Sequence, residues 1–184
     1  PDVRLIYVGR EHTGTAESIE KTEIEVLGAE FATITFGKIH RFFTAKQIME
    51  FWKMPWGFGR ALWLLVKFKP KVVISFGGYI SVPVVFTAKL MRIPILIHEQ
   101  TAVWGAANKL MVKMADKVAV SWPNLHRTGK NVLTGNPIRK EILAAHKNCT
   151  KPTLYISGGN QGSKTIDRAV GPLLPELTKK YVVF

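Results

Sequence analysis

Short apolar runs alternate with amphipathic segments along most of the chain. The runs are typical of buried parallel strands, and they lie at residues 3–8, 71–76, 93–97, 117–120, 131–133 and 153–156. Apolar side chains also recur at the helical spacings of three and four, in residues 45–69, 81–91, 106–114 and 164–179. This alternation predicts an α/β fold in which right-handed crossovers join the strands of a parallel sheet.

The longest helical pattern contains Pro55 and Gly57. Because proline lacks an amide hydrogen and glycine weakens a helix, this pair predicts a break with a loop-like segment around it. We expect the aromatic side chains beside the break to be exposed. Leu62, Leu64 and Leu65 continue the apolar stripe beyond it, so we expect all three in the core.

A polar stretch at residues 138–152 separates two regions of different composition. It is typical of a short helix followed by a linker. We therefore predict a first domain at residues 1–140, a linker at 141–152 and the start of a second α/β domain at 153–184. Strand-like runs lie at both ends of the chain, and unpaired strands need partners, so we expect further residues to precede and follow it.

Two glycine pairs lie between a predicted strand and a predicted helix, at Gly77 and Gly78 and again at Gly158 and Gly159. Glycine lets the backbone turn sharply and approach a ligand, while a helix N-terminus offers amide donors to phosphate. Neither loop has the dinucleotide-binding or Walker spacing. One pair by itself fits a simple turn equally well, but two pairs at corresponding positions favour phosphate binding.

Charge and cysteine content narrow the classes of protein. The 184 residues include 26 Lys and Arg against 13 Asp and Glu, a formal charge of +13. This excess favours an anionic partner such as nucleic acid, acidic lipid or a phosphorylated substrate. The single cysteine, Cys149, cannot form an internal disulfide, which fits a cytosolic protein. No apolar stretch reaches the length that crosses a bilayer.

Residues 38–69 interleave aromatic and basic side chains. Aromatic rings at a headgroup boundary, beside cations that attract anionic lipid, are typical of a membrane-surface patch. We predict such a patch from Phe51, Trp52, Lys53, Trp56, Phe58 and Arg60. The alternative is that the rings pack against the sheet and only the basic side chains face water.

Four strings occur in order along the chain: GGYISVP at residues 77–83, IHEQTAVWG at 97–105 with Asn108, TGNPIR at 134–139 and GGNQGS at 158–163. Together they closely resemble the MurG enzymes of glycosyltransferase family 28. The resemblance is close over residues 70–167 and loose over residues 4–69. It implies the GT-B fold, in which two Rossmann-like domains face each other across a cleft.

The resemblance also implies a reaction and its partners. The reaction is inverting transfer of N-acetylglucosamine from UDP-N-acetylglucosamine to the 4-hydroxyl of the muramoyl sugar of undecaprenyl-linked lipid I, which gives lipid II for peptidoglycan. The expected location is peripheral, at the cytoplasmic face of the plasma membrane. The expected partners are lipid I, an anionic membrane surface and cell-wall synthesis proteins, with no nucleic acid. Residues 1–140 would bind the acceptor and the domain that begins at residue 153 would bind the donor.

Site residues follow from the matched strings. For the acceptor diphosphate the resemblance implies Gly77, Gly78, Tyr79 and Ser81. For the donor it implies Thr101, Arg139, Gly158, Gly159, Asn160, Gln161 and Gly162. Thr101 replaces the usual Asn and Asn160 the usual Ser; each can still form hydrogen bonds, but the choice of donor sugar stays open.

No catalytic base is assigned, because the family's glycine loop with a histidine is absent from these residues and is expected before them. We therefore expect this chain alone to be inactive. His98 and Glu99 follow a predicted strand and are weak candidates for a base and its orienting partner. The alternative is structural, with Glu99 accepting hydrogen bonds from backbone amides. No metal or cofactor is expected, since no Asp-x-Asp pair occurs to hold a divalent ion on the diphosphate.

Other classes of function remain as alternatives. One is a related lipid-directed glycosyltransferase that makes another glycolipid or polyprenol-linked sugar. Another is a basic nucleic-acid-binding or membrane-binding module without catalysis. The nucleic-acid alternative leaves the two glycine loops unexplained and has no recognised motif.

Overall fold

A computed structural model describes residues 3–13, 16–17, 19–37, 45–125, 129–144, 151–159 and 162–184, with only the backbone described at residues 12–13, 16–17, 19, 45–52 and 144. The chain forms two compact units, Pro1–Asn136 and Pro137–Phe184. The sequence places the domain boundary slightly later, after residue 140. That the two units bind acceptor and donor respectively stays a prediction.

The first unit begins with a small parallel sheet. Strand β1 (Ile6–Gly9) pairs with β4 (Glu30–Thr33), so that Gly9 lies opposite Thr33. Between them come a short hairpin of β2 (His12–Thr13) and β3 (Ala16–Glu17), followed by helix α1 (Ile19–Val26). Of these elements, only β1 has a counterpart among the predicted strands and helices.

A parallel sheet of four strands follows the long helix α2 (Ala45–Phe68). Its spatial order is β5 (Val73–Ser75), β6 (Ile95–Glu99), β7 (Lys117–Val120) and β8 (Asn131–Leu133). Helix α3 (Ser81–Leu90) joins β5 to β6, and helix α4 (Ala106–Met111) joins β6 to β7. This is the predicted parallel α/β arrangement, and it is confirmed.

The core of the first unit lies between this sheet and its helices. Every second residue of β6 and β7 is almost fully buried, because both strands lie inside the sheet and are covered by helices. The cluster is aliphatic and contains Leu65, Val85, Ala88, Ile95, Ile97, Met111, Val118 and Val120. Burial of these apolar side chains is the dominant favourable contribution to folding.

Two expectations about α2 are wrong. Pro55 does not end the helix, which continues through it to Phe68. Proline removes one hydrogen bond, but the turns that follow it pack their inner face, with Gly57, Ala61 and Leu65 buried. Leu62 is half exposed rather than in the core, because it lies off that inner face, whereas Leu64 and Leu65 are buried as expected.

The second unit contains a parallel strand pair, β9 (Thr153–Leu154) and β10 (Val182–Val183). Helix α5 (Lys140–Ala144) precedes the pair. The single helix predicted at residues 164–179 is instead α6 (Lys164–Val170), a short 3₁₀ turn and α7 (Leu174–Lys180). Gly171 and Pro172 lie at this interruption, since glycine and proline are the poorest helix formers.

Candidate functional site

The carboxyl ends of β5, β6, β7 and β8 lie along one edge of the sheet, and three of the four motif strings follow these ends. Residues 76–80 follow β5, residues 100–105 follow β6 and residues 134–136 follow β8. Ligands of open α/β sheets bind at this edge. The motif residues of the first unit are therefore brought together where a ligand site is expected.

The glycine loop after β5 requires glycine for two separate reasons. Gly77 and Gly78 have φ angles of 88° and 81°, a region that side-chain-bearing residues rarely adopt. A Cβ atom on Gly77 would also lie 3.1 Å from the side-chain amide of Asn108. The loop is closed by Ser75 Oγ, which accepts a hydrogen bond from Gly77 N at 3.2 Å, and by Ser81 Oγ, which donates to Gly78 O at 2.6 Å.

Three consecutive amides of this loop remain available to a ligand. Within the described part of the chain, the N–H groups of Gly78, Tyr79 and Ile80 donate no hydrogen bond. They directly precede α3, whose N-terminus carries a partial positive charge. Such a row of amides can bind phosphate oxygens.

The carboxylate of Glu99 organises the loop after β6. Its Oε1 accepts from Thr101 N at 3.1 Å and from Thr101 Oγ1 at 2.7 Å, while Oε2 accepts from Gly105 N and Asn108 Nδ2, both at 2.9 Å. Glu99 is only 2% exposed. Burial raises the pKa of Glu99, but the hydrogen bonds from Gly105, Asn108 and Thr101 outweigh it and leave the pKa below its ordinary value. This geometry fits the structural interpretation of Glu99.

Because the pKa of Glu99 is lowered, the free energy of unfolding depends on pH in the acidic range. Its contribution is complete above the unfolded-state pKa of about 4.3 and is lost as the pH falls through the lower folded-state pKa. Urea unfolding between pH 3 and pH 6 should therefore show falling stability toward acid, with a shallower slope in Glu99→Gln, which cannot titrate. Equal slopes for the two proteins would contradict this account of Glu99.

His98 is buried on β6 but forms no pair with Glu99. Its Nε2 lies 3.1 Å from Gly135 O, and its ring centroid lies 5.6 Å from that of Phe76. Successive side chains of a strand point to opposite faces, which separates the His98 imidazole from the Glu99 carboxylate. The Nδ1 of His98 and the Oδ1 of Asn108 are buried without a hydrogen-bond partner among the described residues.

A hydrogen-bond network that the sequence did not reveal ties these loops together. The carbonyl of Gln100 accepts from Trp122 Nε1 at 3.1 Å and from Asn136 Nδ2 at 3.3 Å, and Ser121 Oγ donates to Asn136 Oδ1 at 2.6 Å. The Thr101 hydroxyl, predicted to contact the donor sugar, lies 2.6 Å from Val103 O as well as near Glu99. The available signal was a polar residue directly after each buried strand.

The glycine loop of the second unit follows β9. A Cβ atom on Gly158 would lie 2.3 Å from Ser163 N, so the backbone leaves no room for a side chain. Gly159 and Gly162 have φ angles of 72° and 69°. Ser163 caps α6 by accepting from Ile166 N at 3.3 Å. Of the other predicted donor residues, Arg139 is exposed in this same unit, whereas Asn160 and Gln161 lie outside the described residues.

The predicted membrane patch is only partly exposed. Trp56 is 80% exposed on α2, and Lys53 and Arg60 are exposed beside it. Phe58 packs edge-to-face between Phe36 and Phe86, with ring centroids 5.6 and 5.4 Å away, and is only partly exposed. The bulky ring fills the space between α2, α3 and the segment after β4. The side chains of Phe51 and Trp52 lie outside the described residues.

The described residues contain neither a membrane-spanning helix nor a metal-binding cluster. None of their helices is both long enough and apolar enough to cross a membrane. They also contain no group of three or more His, Cys, Asp or Glu side chains arranged to hold a metal ion. Asp116 instead accepts from Ile95 N at 2.8 Å and pairs with Lys89 at 3.4 Å.

The parallel α/β fold and the glycine loops at strand ends define the class as a Rossmann-like α/β protein with candidate phosphate-binding loops. The sequence profile of the Glycosyltransferase family 28 N-terminal domain matches residues 4–120. The chain belongs to this family. A crystal structure of MurG from Acinetobacter baumannii has the same fold, with a TM-score of 0.61 at 24% identity over 96% of this chain and 46% of that one.

Curated relatives are similar along nearly the whole chain. A protein of Clostridium novyi is 38% identical over 98% of this chain and 54% of its own length, and one of Lachnospira eligens is 38% identical over 94% and 52%. Both are named UDP-N-acetylglucosamine--N-acetylmuramyl-(pentapeptide) pyrophosphoryl-undecaprenol N-acetylglucosamine transferase. The chain thus spans about half the length of the curated relatives it matches.

Proposed function

We propose that this chain supplies the acceptor-binding unit and the first part of the donor-binding unit of an inverting glycosyltransferase. The enzyme would transfer N-acetylglucosamine from UDP-N-acetylglucosamine to the 4-hydroxyl of the muramoyl sugar of undecaprenyl-linked lipid I, giving lipid II. The observation that carries the proposal is the row of amides at Gly78, Tyr79 and Ile80, placed at the carboxyl edge of the sheet. The names of the relatives, which include a pyrophosphoryl-undecaprenol acceptor, support it.

In this proposal the acceptor diphosphate binds the loop of the first unit. Gly77 and Gly78 give the loop its left-handed turn, Ser81 fixes it, and the amides of Gly78 to Ile80 donate to phosphate oxygens. Backbone amides do not change their protonation state between pH 6 and pH 8. We therefore expect the affinity of the loop for the acceptor diphosphate to change little over this range.

The donor residues form a second part of the proposal. Gly158, Gly159 and Gly162, with Asn160 and Gln161, would cradle the UDP diphosphate, and Arg139 would stabilise the departing UDP by charge-assisted hydrogen bonds. Thr101 would contact the donor sugar. We propose that the reaction needs no metal ion, because amide groups and an arginine can offset the developing negative charge.

We further propose that α2 docks the protein on the cytoplasmic face of the plasma membrane. Trp56 projects from the helix, and Lys53 and Arg60 lie one turn to either side of it, so one face offers both a ring and cations. Arg60 is additionally held over the ring of Trp63, 4.3 Å from its centroid.

Trp56→Ser should weaken binding to phosphatidylglycerol vesicles about tenfold. The variant lacks the aromatic ring whose apolar surface would be buried in the membrane interface. Vesicle sedimentation at low salt measures this. Leu110→Ser is the matched control, since Leu110 is also an exposed apolar residue on a helix but lies outside α2. Equal losses in both variants, or no vesicle binding by the folded wild-type protein, would contradict the docking proposal.

Titration of the 184-residue chain with a short-chain lipid I analogue tests the acceptor assignment. We expect saturable binding that is lost in Gly78→Val, because φ at position 78 is 81° and valine is strongly strained there. Binding unaffected by this substitution would contradict the assignment of the loop. A preference for another polyprenol-linked sugar would favour the related lipid-directed glycosyltransferase.

A further inference from the structure

A cavity of about 310 Å³ lies beside the acceptor loop of the first unit. Apart from Tyr79 and Ile80, its lining residues take no part in the proposed diphosphate site. Its walls include Arg10, Glu11, Thr33, Thr35, Tyr79 and Ile80. Because Tyr79 and Ile80 belong to the loop that follows β5, the cavity directly adjoins the proposed diphosphate site.

The cavity lies at the carboxyl ends of two further parallel strands. Arg10 directly follows β1 and Thr33 ends β4. The two ends are held together, since Gly9 is paired with Thr33 and its carbonyl accepts from Ile34 N at 3.2 Å. The location therefore follows the same rule as the loops of the larger sheet.

No carboxylate of the described residues offsets the charge of Arg10 within the cavity. Among the described residues of the cavity wall, Glu11 carries the one carboxylate, and it pairs with Lys21 at 3.5 Å. Among the described residues Arg10 forms no ion pair with any carboxylate. An arginine in this setting attracts an anion, whereas an arginine already paired with a carboxylate does not.

Contact with Tyr79 orients the guanidinium of Arg10. Its Cζ lies 5.5 Å from the centroid of the Tyr79 ring. Tyr79 is itself fixed at the entry to α3, where its carbonyl accepts from Val82 N at 3.3 Å. A guanidinium stacked on a ring keeps the N–H groups at its edge free to donate in the bidentate geometry that suits phosphate and carboxylate.

We propose that Arg10, held over Tyr79, binds an anionic oxygen group of the acceptor, either a phosphate or a carboxylate, in the cavity between the ends of β1 and β4 and the acceptor loop. The hydroxyl groups of Thr33 and Thr35 add donors at the same place. This inference rests on the proposed acceptor role of the first unit and adds a side-chain cation to a loop that otherwise offers only amides.

Isothermal titration of the 184-residue chain with two probes tests the proposal. Inorganic pyrophosphate carries only the phosphate group, and an N-acetylmuramyl pentapeptide without phosphate carries only the carboxylates. Arg10→Gln should lower the affinity for the probe that Arg10 recognises at least about tenfold, since a hydrogen bond between two charged groups is lost. Arg92→Gln removes the same charge at the opposite, amino edge of β6 and should change each affinity less than about twofold.

If Arg10→Gln lost affinity for pyrophosphate and Arg92→Gln did not, the group that Arg10 binds would be a phosphate. If Arg10→Gln instead lost affinity for the peptide, that group would be a carboxylate. Equal affinities of Arg10→Gln and Arg92→Gln for both probes would overturn the proposal. If Gly78→Val abolished pyrophosphate binding while Arg10→Gln did not, the acceptor loop would stand and only the role of Arg10 would fall. A folded wild-type chain that binds neither probe would overturn both.

Discussion

Glu99→Ala should lower the free energy of unfolding of the first unit by about 3 kcal/mol, because the buried amide of Asn108 and the part-buried N–H groups of Thr101 and Gly105 lose their charged acceptor. The amides of Thr101 and Gly105 and the side chain of Asn108 all donate to this carboxylate, which is almost fully buried. Urea unfolding followed by tryptophan fluorescence measures the change, since all five tryptophans lie between residues 52 and 122.

Glu25→Ala provides the matched control for this prediction. Glu25 is exposed on helix α1 of the same unit, so its truncation removes a charge without exposing a buried donor. We expect little change in the unfolding midpoint. A Glu99→Ala protein as stable as Glu25→Ala would mean that the loop at residues 99–108 does not depend on the carboxylate.

Gly158→Ala should raise the KM for UDP-N-acetylglucosamine in the full-length gene product at least about tenfold, since donor contacts worth more than 1.4 kcal/mol would be displaced. The added Cβ would lie 2.3 Å from Ser163 N and 2.6 Å from the carbonyl carbon of Gly162. Backbone atoms must move to relieve such contacts, so the loop that is proposed to hold the diphosphate changes shape.

Gly171→Ala is the control for the donor loop. A Cβ atom at Gly171 meets no other atom within 4 Å, and its φ of −49° suits any residue. Steady-state kinetics with varied donor compares the two variants. If Gly158→Ala and Gly171→Ala had the same KM for the donor, the proposed role of the second glycine loop would be wrong.

Two strands of the larger sheet could be predicted closely from the sequence. The bounds of β7 and β8 are confirmed to the residue. β7 lies inside the sheet and carries the short buried apolar run of Val118, Ala119 and Val120, whereas β8 is an edge strand whose Val132 and Leu133 are half exposed. The segment at residues 10–37 was harder. Helix α1 has charged or polar residues at five of eight positions, and no run marks it in the sequence.

Errors arose where tertiary packing overrode local preference. Pro55 predicts a break, yet the helix continues through it to Phe68, and the inner face of the turns that follow Pro55 is buried. Phe58 was expected to face the membrane but fills a space lined by Phe36 and Phe86. In both cases the deciding partners lie outside the local segment, so the pattern within α2 could not reveal them.

The motif residues of the site could be predicted from the sequence, but the hydrogen bonds and ring contacts between its loops could not. The strings at residues 77–83 and 97–105 identify the loops, whereas the Glu99 hydrogen bonds depend on Asn108 lying on the next helix. Arg10 shows the same limit, since its partner Tyr79 is distant along the chain. Roles assigned through the family resemblance remain predictions until binding and transfer are measured.

Transfer of labelled N-acetylglucosamine tests the central claim most directly. The full-length gene product that contains this chain would be incubated with UDP-N-acetylglucosamine and a short-chain lipid I analogue, beside its Arg139→Ala variant. We predict a disaccharide product with inverted anomeric configuration from the wild type and at least about tenfold less from the variant, because charge-assisted stabilisation of UDP is lost. A folded wild-type protein that binds UDP-N-acetylglucosamine but leaves lipid I unmodified would contradict the account.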